Sequence, residues 1–339
     1  MKPAISTVTP QALTVQADVN EVIMAFATAQ DVKPSSRTIY ARIMRDFFGW
    51  VASTGRTASA LTLADVIAYK EGLLAADKSA LTVASHINAI RRFYEWAEAN
   101  KYYPNIAKGV HAPKRRNDEF KHKPLSVSKV AELLRYAQAT NARDYAIITL
   151  MLYTGLRCVE VSRANIEDIT YIGENNTRVL MVQGKGHDTK DDWVRLTNDA
   201  YKPIAEYLAT RKGENGKQPL FVSTSNHTGN ADNHTGEQDF NPRRLSTRAI
   251  SALCKEALKA VGLDNKVFTA HSLRHTAGTN ILRAGGSLEQ AQQTLRHSNP
   301  ATTQIYVKMA LKERRLTDGG ETLLDNLYRS AMAQPWRGF

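Results

Sequence analysis

Through its first hundred residues the chain repeats apolar positions three and four apart, the period of an amphipathic helix. The stretch SSRTIYARIMRDFFGWVAST sets Ile39, Ile43, Phe47 and Trp50 on one stripe, with Ser35 or Ser36 as the expected N-cap. TLADVIAYKEGLLA is a second such run, with Thr62 ahead of its first turn, and ALTVASHINAIRRFYEWAEANK is a third, repeating Val83, Ile87, Ile90, Phe93 and Trp96. No alternating, strand-like pattern interrupts them, so the region predicts a small all-helical domain. Arg91 and Arg92 are candidates to face a phosphate backbone; a solvated helix face is the equal alternative.

Further on, SVSKVAELLRYAQ and ARDYAIITLMLYTG predict helices, the second apolar almost all round and hence buried. The period then changes. TRVLMVQGKGHDTKDDWVRLT is two β-rich runs about a polar, glycine-containing turn, the pattern of a hairpin. DAYKPIAEYLATRK returns to helix, and residues 213–244, rich in Gly, Asn, Asp, His and Thr but interrupted by PLFVS, predict a surface loop. TRAISALCKEALKAVG, LRHTAGTNILRAG, SLEQAQQTLRH and PATTQIYVKMALKERR complete a mainly helical second region.

Charge changes the picture more than bulk composition does. At 339 residues and 42% hydrophobic the chain is of ordinary globular make-up with length for two domains. Its net charge of +12 points to a polyanionic partner, nucleic acid before an acidic membrane surface. The basic density peaks in residues 106–124, which carry six Lys/Arg against two Asp/Glu. Lys114, Arg115 and Arg116 there are candidate DNA contacts, with a plain solvated linker as the alternative. The two cysteines, Cys158 and Cys254, stand in no metal-like spacing, which predicts a reducing, cytoplasmic setting. No signal-like N-terminus and no run of about 20 apolar residues is seen, so no membrane partner is expected.

Candidate chemistry centres on HSNPATTQIY, residues 297–306, where Tyr306 is either a core aromatic or a nucleophile. A phenol with an ordinary pKa near 10 is roughly one part in a thousand phenolate at neutral pH, so attack on a phosphodiester needs a base or a positive site. The transition state gathers charge on non-bridging oxygens, which calls for guanidinium groups, and the leaving alkoxide calls for a proton donor. YTGLRCVEV supplies Arg157, HSLRHTAGT supplies His271 and Arg274 one helical turn apart, and LRHSNP supplies His297. QGKGHDTK supplies Lys185 at a hairpin tip, and Asn299 and Pro300 read as cap and first position of the helix bearing Tyr306. Taken singly, each has a bland reading: capping arginine, turn glycines, core tyrosine. His271 and His275 stand at i and i+4, but the residue between that a helical zinc-protease motif needs as glutamate is absent.

Together and in this order the motifs resemble those of the tyrosine recombinase (phage integrase) family: Thr-Gly-Leu-Arg at 154–157, Gly-Lys-Gly at 184–186, His-x-Leu-Arg-His at 271–275, a Leu-x-His at 295–297 and Thr-Thr-x-x-Tyr at 302–306. The resemblance covers about residues 20–315 and includes the N-terminal helices. It implies that Tyr306 forms a 3′-phosphotyrosyl bond, that Arg157 and Arg274 hold the scissile phosphate, and that His297 adds a hydrogen bond to it. It further implies that His271 assists proton removal, Lys185 protonates the 5′ oxygen, and Glu160 supports the first arginine. Neither metal nor ATP nor any other cofactor is implied.

Two departures from the pattern matter. Arg296 stands where the family usually has glycine, and either contacts phosphate or points to solvent. The segment from Lys185 to Val194 is about two residues longer than usual, which leaves Lys190 as a rival proton donor. The expected fold is mainly α with a small β-hairpin or sheet (α+β), a two-domain C-shaped DNA clamp. A helical core-binding, SAM-like domain spans 15–105, a basic linker 106–124, and a catalytic domain with a C-terminal tail 125–339. No arm-binding domain is expected ahead of residue 15. The expected partner is double-stranded DNA with an inverted-repeat core site, bound by a homotetramer held through the tail, in the cytoplasm at the nucleoid, with or without an accessory protein. The rival readings are an architectural DNA-binding protein with decayed catalysis and a type IB topoisomerase.

Overall fold

The computed structural model describes residues 16–113, 123–184, 188–211, 216–223, 243–297, 299, 303–304, 306–307, 310, 324–325 and 327–330. They fall into two units, residues 1–119 and 120–339.

The first unit contains four helices among its described residues: α1 (Gln16–Ala29), α2 (Pro34–Ser53), α3 (Leu63–Ala75) and α4 (Ala80–Ala99). Helix α2 starts at Pro34 with Lys33 at the cap, so neither Ser35 nor Ser36 caps it. Proline has no amide hydrogen to lose and a φ already suited to the first helical position, which moves the start ahead of the serines. Of the four stripe residues, Ile43 and Phe47 are buried, Trp50 is half-buried, and Ile39 faces outward, 47% exposed. Thr62 and Asp65 form the capping box of α3, the Asp65 carboxylate accepting from the Thr62 amide at 2.8 Å. The core is aromatic: Phe26 meets Phe93 edge-on at 5.3 Å, and Phe47 meets Tyr69 edge-on at 5.1 Å. Ala107 and Val110 are buried against this cluster, so the chain assigned above to the start of the linker is part of the first unit's packing. Arg91 and Arg92 are exposed on α4, with the Arg92 guanidinium 5.7 Å from the Tyr40 ring. Lys114, Arg115 and Arg116 lie outside the described residues.

The second unit is built on α6 (Ala142–Thr154), whose residues from Ala146 to Leu152 are all buried. Around it lie α5 (Val127–Thr140), the short α7 (Cys158–Arg163), α8 (Asn198–Ala209), α9 (Thr247–Ala260), α10 (Ala270–Arg283) and α11 (Leu288–Leu295). The hairpin is one part of a three-stranded antiparallel sheet in the order β1 (Ile169–Ile172), β2 (Thr177–Val182), β3 (Asp192–Arg195). Leu180 pairs with Ile169 on one side and Val194 on the other, and Val179, Leu180 and Val182 of the central strand are buried. The stretch PLFVS is not loop surface. Leu220 and Phe221 are buried, and bridges join Asn165 to Pro219 and Val222 to Arg244. Residues 213–215 and 224–242 of the expected loop lie outside the described residues. Beyond α11, residues 303, 304, 306, 307 and 310 are helical, and so are 324–325 and 327–330.

Candidate active site

Helix α6 ends at Gly155, which takes the left-handed conformation (φ 64°) that caps a helix and that glycine adopts without strain. A Cβ there would also overlap the Leu295 side chain. The turn delivers Arg157 to the N-cap of α7, where its amide donates to Glu160 Oε2 at 2.7 Å and its Nη1 to Oε1 at 3.0 Å. Glu160 is 1% exposed. Burial pushes its carboxyl up, but Arg296, the Arg157 amide and guanidinium, and Arg274 outweigh that and hold it below its usual value.

Arg274 comes from the middle of α10 and is 1% exposed. Its Nη1 donates to the Gly155 carbonyl at 2.5 Å and its Nη2 to the Leu295 carbonyl. Burial, and then the neighbouring Arg157, push it down to about 10, which leaves it charged at neutral pH. His271 lies one turn earlier on α10, at its exposed N-terminal end.

The third contribution follows α11. Arg296 closes that helix in the left-handed region (φ 52°, ψ 51°), and His297 follows. His297 Nδ1 meets Thr303 Oγ1 at 2.9 Å, and its ring stacks nearly parallel (9°) to that of Tyr306 at 6.1 Å. Burial first, then Arg274, Arg157, His271 and Arg296, push the imidazole down to about 4. It is neutral at pH 7 and carries one ring proton. Tyr306 is 2% exposed, packed with Ala277, Leu282, Ala291, Leu295 and Ala310. The Tyr306 ring also meets the His275 ring, tilted at 57° and 5.3 Å away, and His275 in turn lies edge-on to His271 at 4.8 Å. Burial raises the phenol above its usual value, while Arg274 and Arg157 pull it down. Tyr306 is thus a core aromatic and also a phenol in the field of two guanidinium groups.

Arg157, Glu160, Arg274, Arg296, His297 and Tyr306 therefore converge from four segments. Lys185 lies outside the described residues, between Gly184 and residue 188. Lys190 is described: its Nζ bonds Asp168 Oδ2 at 2.5 Å, and that carboxylate also caps the Asn165 amide. Arg296 does not point to solvent. Its side chain is 7% exposed, hydrogen-bonded to Glu160 Oε2 at 2.8 Å and ion-paired with Asp192 Oδ2 at 3.3 Å.

Sequence reading placed Thr303 in a motif without giving it a role, and missed Gly278. At Gly278, in the middle of α10, a Cβ would sit 2.7 Å from Leu295 Cδ1, so the glycine admits Leu295, and 3.4 Å from the Tyr306 ring, an ordinary contact distance. A glycine inside a helical run was the available signal. Among the described residues no group of three or more His, Cys, Asp or Glu could hold a metal, and no helix is long and apolar enough to cross a membrane.

Residues 123–313 match the model of the phage integrase family, and residues 27–101 match that of the phage integrase N-terminal SAM-like domain. Tyrosine recombinase XerC of Corynebacterium glutamicum is 30% identical over 69% of this chain and 70% of its own length. Tyrosine recombinase XerC of Haemophilus influenzae is 31% identical over 80% of this chain and 82% of its own. Among solved structures, the XerH site-specific recombinase bound to palindromic difH substrate in a post-cleavage complex shares the fold. Its TM-score is 0.64 at 17% identity, over 89% of this chain and 83% of that one.

Proposed function

The chain belongs to the phage integrase family and is a site-specific tyrosine recombinase, and from that premise we propose how its residues divide the work. The Tyr306 phenol oxygen attacks the scissile phosphorus, forming a 3′-phosphotyrosyl bond as the P–O5′ bond breaks. Arg157 and Arg274 hold the non-bridging oxygens, a task for planar, charge-assisted donors. Neutral His297 donates a hydrogen bond from its one ring N–H to the same phosphate. His271 takes up the phenol proton, and the 5′ oxygen leaves with a proton from Lys185. A 5′ hydroxyl from the other duplex reverses these steps on the new junction. The energy of the broken phosphodiester is kept in the protein–DNA bond, so no nucleotide cofactor enters the balance.

One observation carries this reading: Tyr306 is set against the Arg274–Arg157 pair and stacked on a neutral histidine, inside a site assembled from four segments. The substrate is double-stranded DNA with an inverted-repeat core site. Exchange between two duplexes breaks four strands and one tyrosine serves each, which calls for a tetramer. Leu324, Leu327 and Tyr328, helical residues of the tail that are 47–59% exposed, suit an apolar contact between protomers. Lys114, Arg115 and Arg116 add sequence-independent phosphate contacts, and Arg91 and Arg92, exposed on α4, are placed to do the same. The biological setting is integration and excision of a mobile element or resolution of DNA multimers.

Replacing Tyr306 by Phe removes one oxygen and keeps the ring packing. Tyr306→Phe is expected to bind core-site DNA as the unmutated protein does and to form no detergent-resistant adduct. An adduct formed by that variant would take the nucleophile's role away from Tyr306.

A further inference from the structure

In sequence Lys185 follows Gly184, and β3 opens at Asp192; arginines without a role in the chemistry above hold both Gly184 and Asp192. Arg163 Nη1 donates to the Gly184 carbonyl at 3.3 Å. Arg296 Nε lies 3.3 Å from Asp192 Oδ2, at the first residue of β3. Both anchors lead to the same short helix. Arg163 ends α7, and the Nη2 of Arg296 bonds Glu160, which lies on α7 and also binds the Arg157 guanidinium that caps its start. Arg296 takes a left-handed backbone, which side chains rarely adopt, at a position where glycine would meet no strain. A side chain without a task there would extend into water. This one is 7% exposed and spans two carboxylates.

We infer that Arg296 is a positioning residue for strand cleavage, tying Asp192, at the start of the strand that follows Lys185 in the chain, to Glu160 and so to Arg157. The inference rests on the roles given above to Lys185 and Arg157. Two edges of the guanidinium fork are in use, Nε towards Asp192 and Nη2 towards Glu160, which a lysine's single nitrogen reproduces only in part. Arg157, sharing the other oxygen of Glu160, keeps a side chain 30% exposed and able to reach a phosphate.

The test is single-turnover cleavage of a nicked synthetic duplex core site that the unmutated protein cleaves. It is run with the ordinary phosphodiester and with sulfur replacing the bridging 5′ oxygen, a leaving group that departs without a proton. Arg296→Gly relaxes the backbone, and its thermal unfolding checks that the fold is kept. The expected result is unchanged affinity and salt dependence, with cleavage of ordinary DNA about 10- to 100-fold slower, the scale of a small misplacement in a preorganised site. Most of that loss should be recovered on the sulfur substrate. Asp192→Asn should show the recoverable part alone, the double variant should be no slower than Arg296→Gly, and Arg296→Lys should fall between. Cleavage by Arg296→Gly at the parent rate overturns the inference. So does weaker, less salt-dependent binding, which would make Arg296 a phosphate contact, and so does a loss that sulfur leaves untouched, which would detach Arg296 from the Lys185 step. Failure of the underlying assignment shows separately, as parent-rate cleavage of ordinary DNA by Lys185→Ala.

Discussion

Each unit of this protein buries a tyrosine beside a histidine, and the two pairs are built differently. In the first unit the Tyr69 hydroxyl meets His86 Nδ1 at 2.8 Å. Burial and the nearby Asp46 carboxylate both push that phenol far up. In the second unit the Tyr306 ring stacks on His297, whose Nδ1 is bonded to Thr303. Burial again pushes the phenol up, but Arg274 and Arg157 oppose it. Both tyrosines are nearly inaccessible, 4% and 2% exposed, so burial does not separate them. The sign of the surrounding charge does. An acid beside Tyr69 makes its phenolate costlier and leaves a structural hydrogen bond. Two guanidinium groups beside Tyr306 favour the charged oxygen that attack on phosphorus requires, and His297 keeps its other nitrogen for a ligand.

The largest effect that tests this contrast is Arg274→Ala. Cleavage should fall by about 10²–10³ or more, the usual result of removing a preorganised donor from a developing anion. The loss should be equal on ordinary and 5′-sulfur substrates, since Arg274 stabilises charge and supplies no proton. The variant also leaves the buried Gly155 and Leu295 carbonyls without their donors, so its melting temperature should drop. Arg274→Lys restores the charge without the fork and should recover stability better than rate. Rescue by sulfur would break the contrast as drawn.

Tyr69→Phe is the counterpart in the first unit. It strands His86 Nδ1 in a buried site, which should destabilise the protein by about 1–3 kcal/mol in chemical denaturation. Cleavage per folded, DNA-bound molecule should not change. A tenfold loss of rate in that bound complex would give the Tyr69–His86 pair a part in catalysis and dissolve the distinction.

The sequence shows the first unit's pair poorly and the second unit's well, for a physical reason. Catalysis needs particular residue types in a set order, so Arg157, Arg274, His297 and Tyr306 stand out as motifs. The helices of the first unit are legible from Val83, Ile87, Ile90 and Phe93, because spacing alone dictates which face is buried. Where a terminus begins depends on backbone chemistry that periodicity does not weigh, and Pro34 starts α2 ahead of the two serines. Strand β1, four residues long, is stabilised by pairing with β2 and carries too little pattern of its own. Arg296 is the clearest illegible residue. Its inward turn follows from a left-handed backbone and from Glu160, 136 residues earlier in the chain. Nothing local in LRHSNP indicates either.

A titration sharpens the comparison between the histidines. Both are held below the ordinary value, His86 by burial with Asp46 opposing, and His297 by burial and then the arginines, down to about 4. A histidine whose folded pKa lies below its unfolded value of about 6.5 contributes stability that is fully present above pH 6.5 and is lost as pH falls through the folded value. For His297 that window runs from about 6.5 down to about 4. Unfolding free energy should therefore decline with acidification across it, and His297→Gln should flatten the decline. By NMR the His297 ring should titrate near 4. A midpoint near 6.5 would mean that burial and the arginines do not act on it as the geometry requires.

The smallest expected effect is at Thr303, which is fully buried with its hydroxyl on His297 Nδ1. In a neutral imidazole one nitrogen carries the proton and the other accepts. If Thr303 donates to Nδ1, the proton sits on Nε2, the nitrogen left to face a phosphate. Thr303→Val keeps the volume and removes the donor, so the ring loses the bond that fixes its tautomer while keeping its stacking on Tyr306. A neutral hydrogen bond contributes about 0.5–1.5 kcal/mol, which corresponds to a fall in cleavage rate of about 2- to 13-fold with affinity unchanged. Thr303→Ser restores the hydroxyl and should restore the rate. The same hydroxyl deletion at Tyr69 should leave the rate untouched, so the two variants together ask whether a hydrogen bond to a buried histidine matters for chemistry only where arginines surround it. Parent-rate cleavage by Thr303→Val would show that stacking on Tyr306 alone orients His297, and that the threonine serves packing, as Tyr69 does.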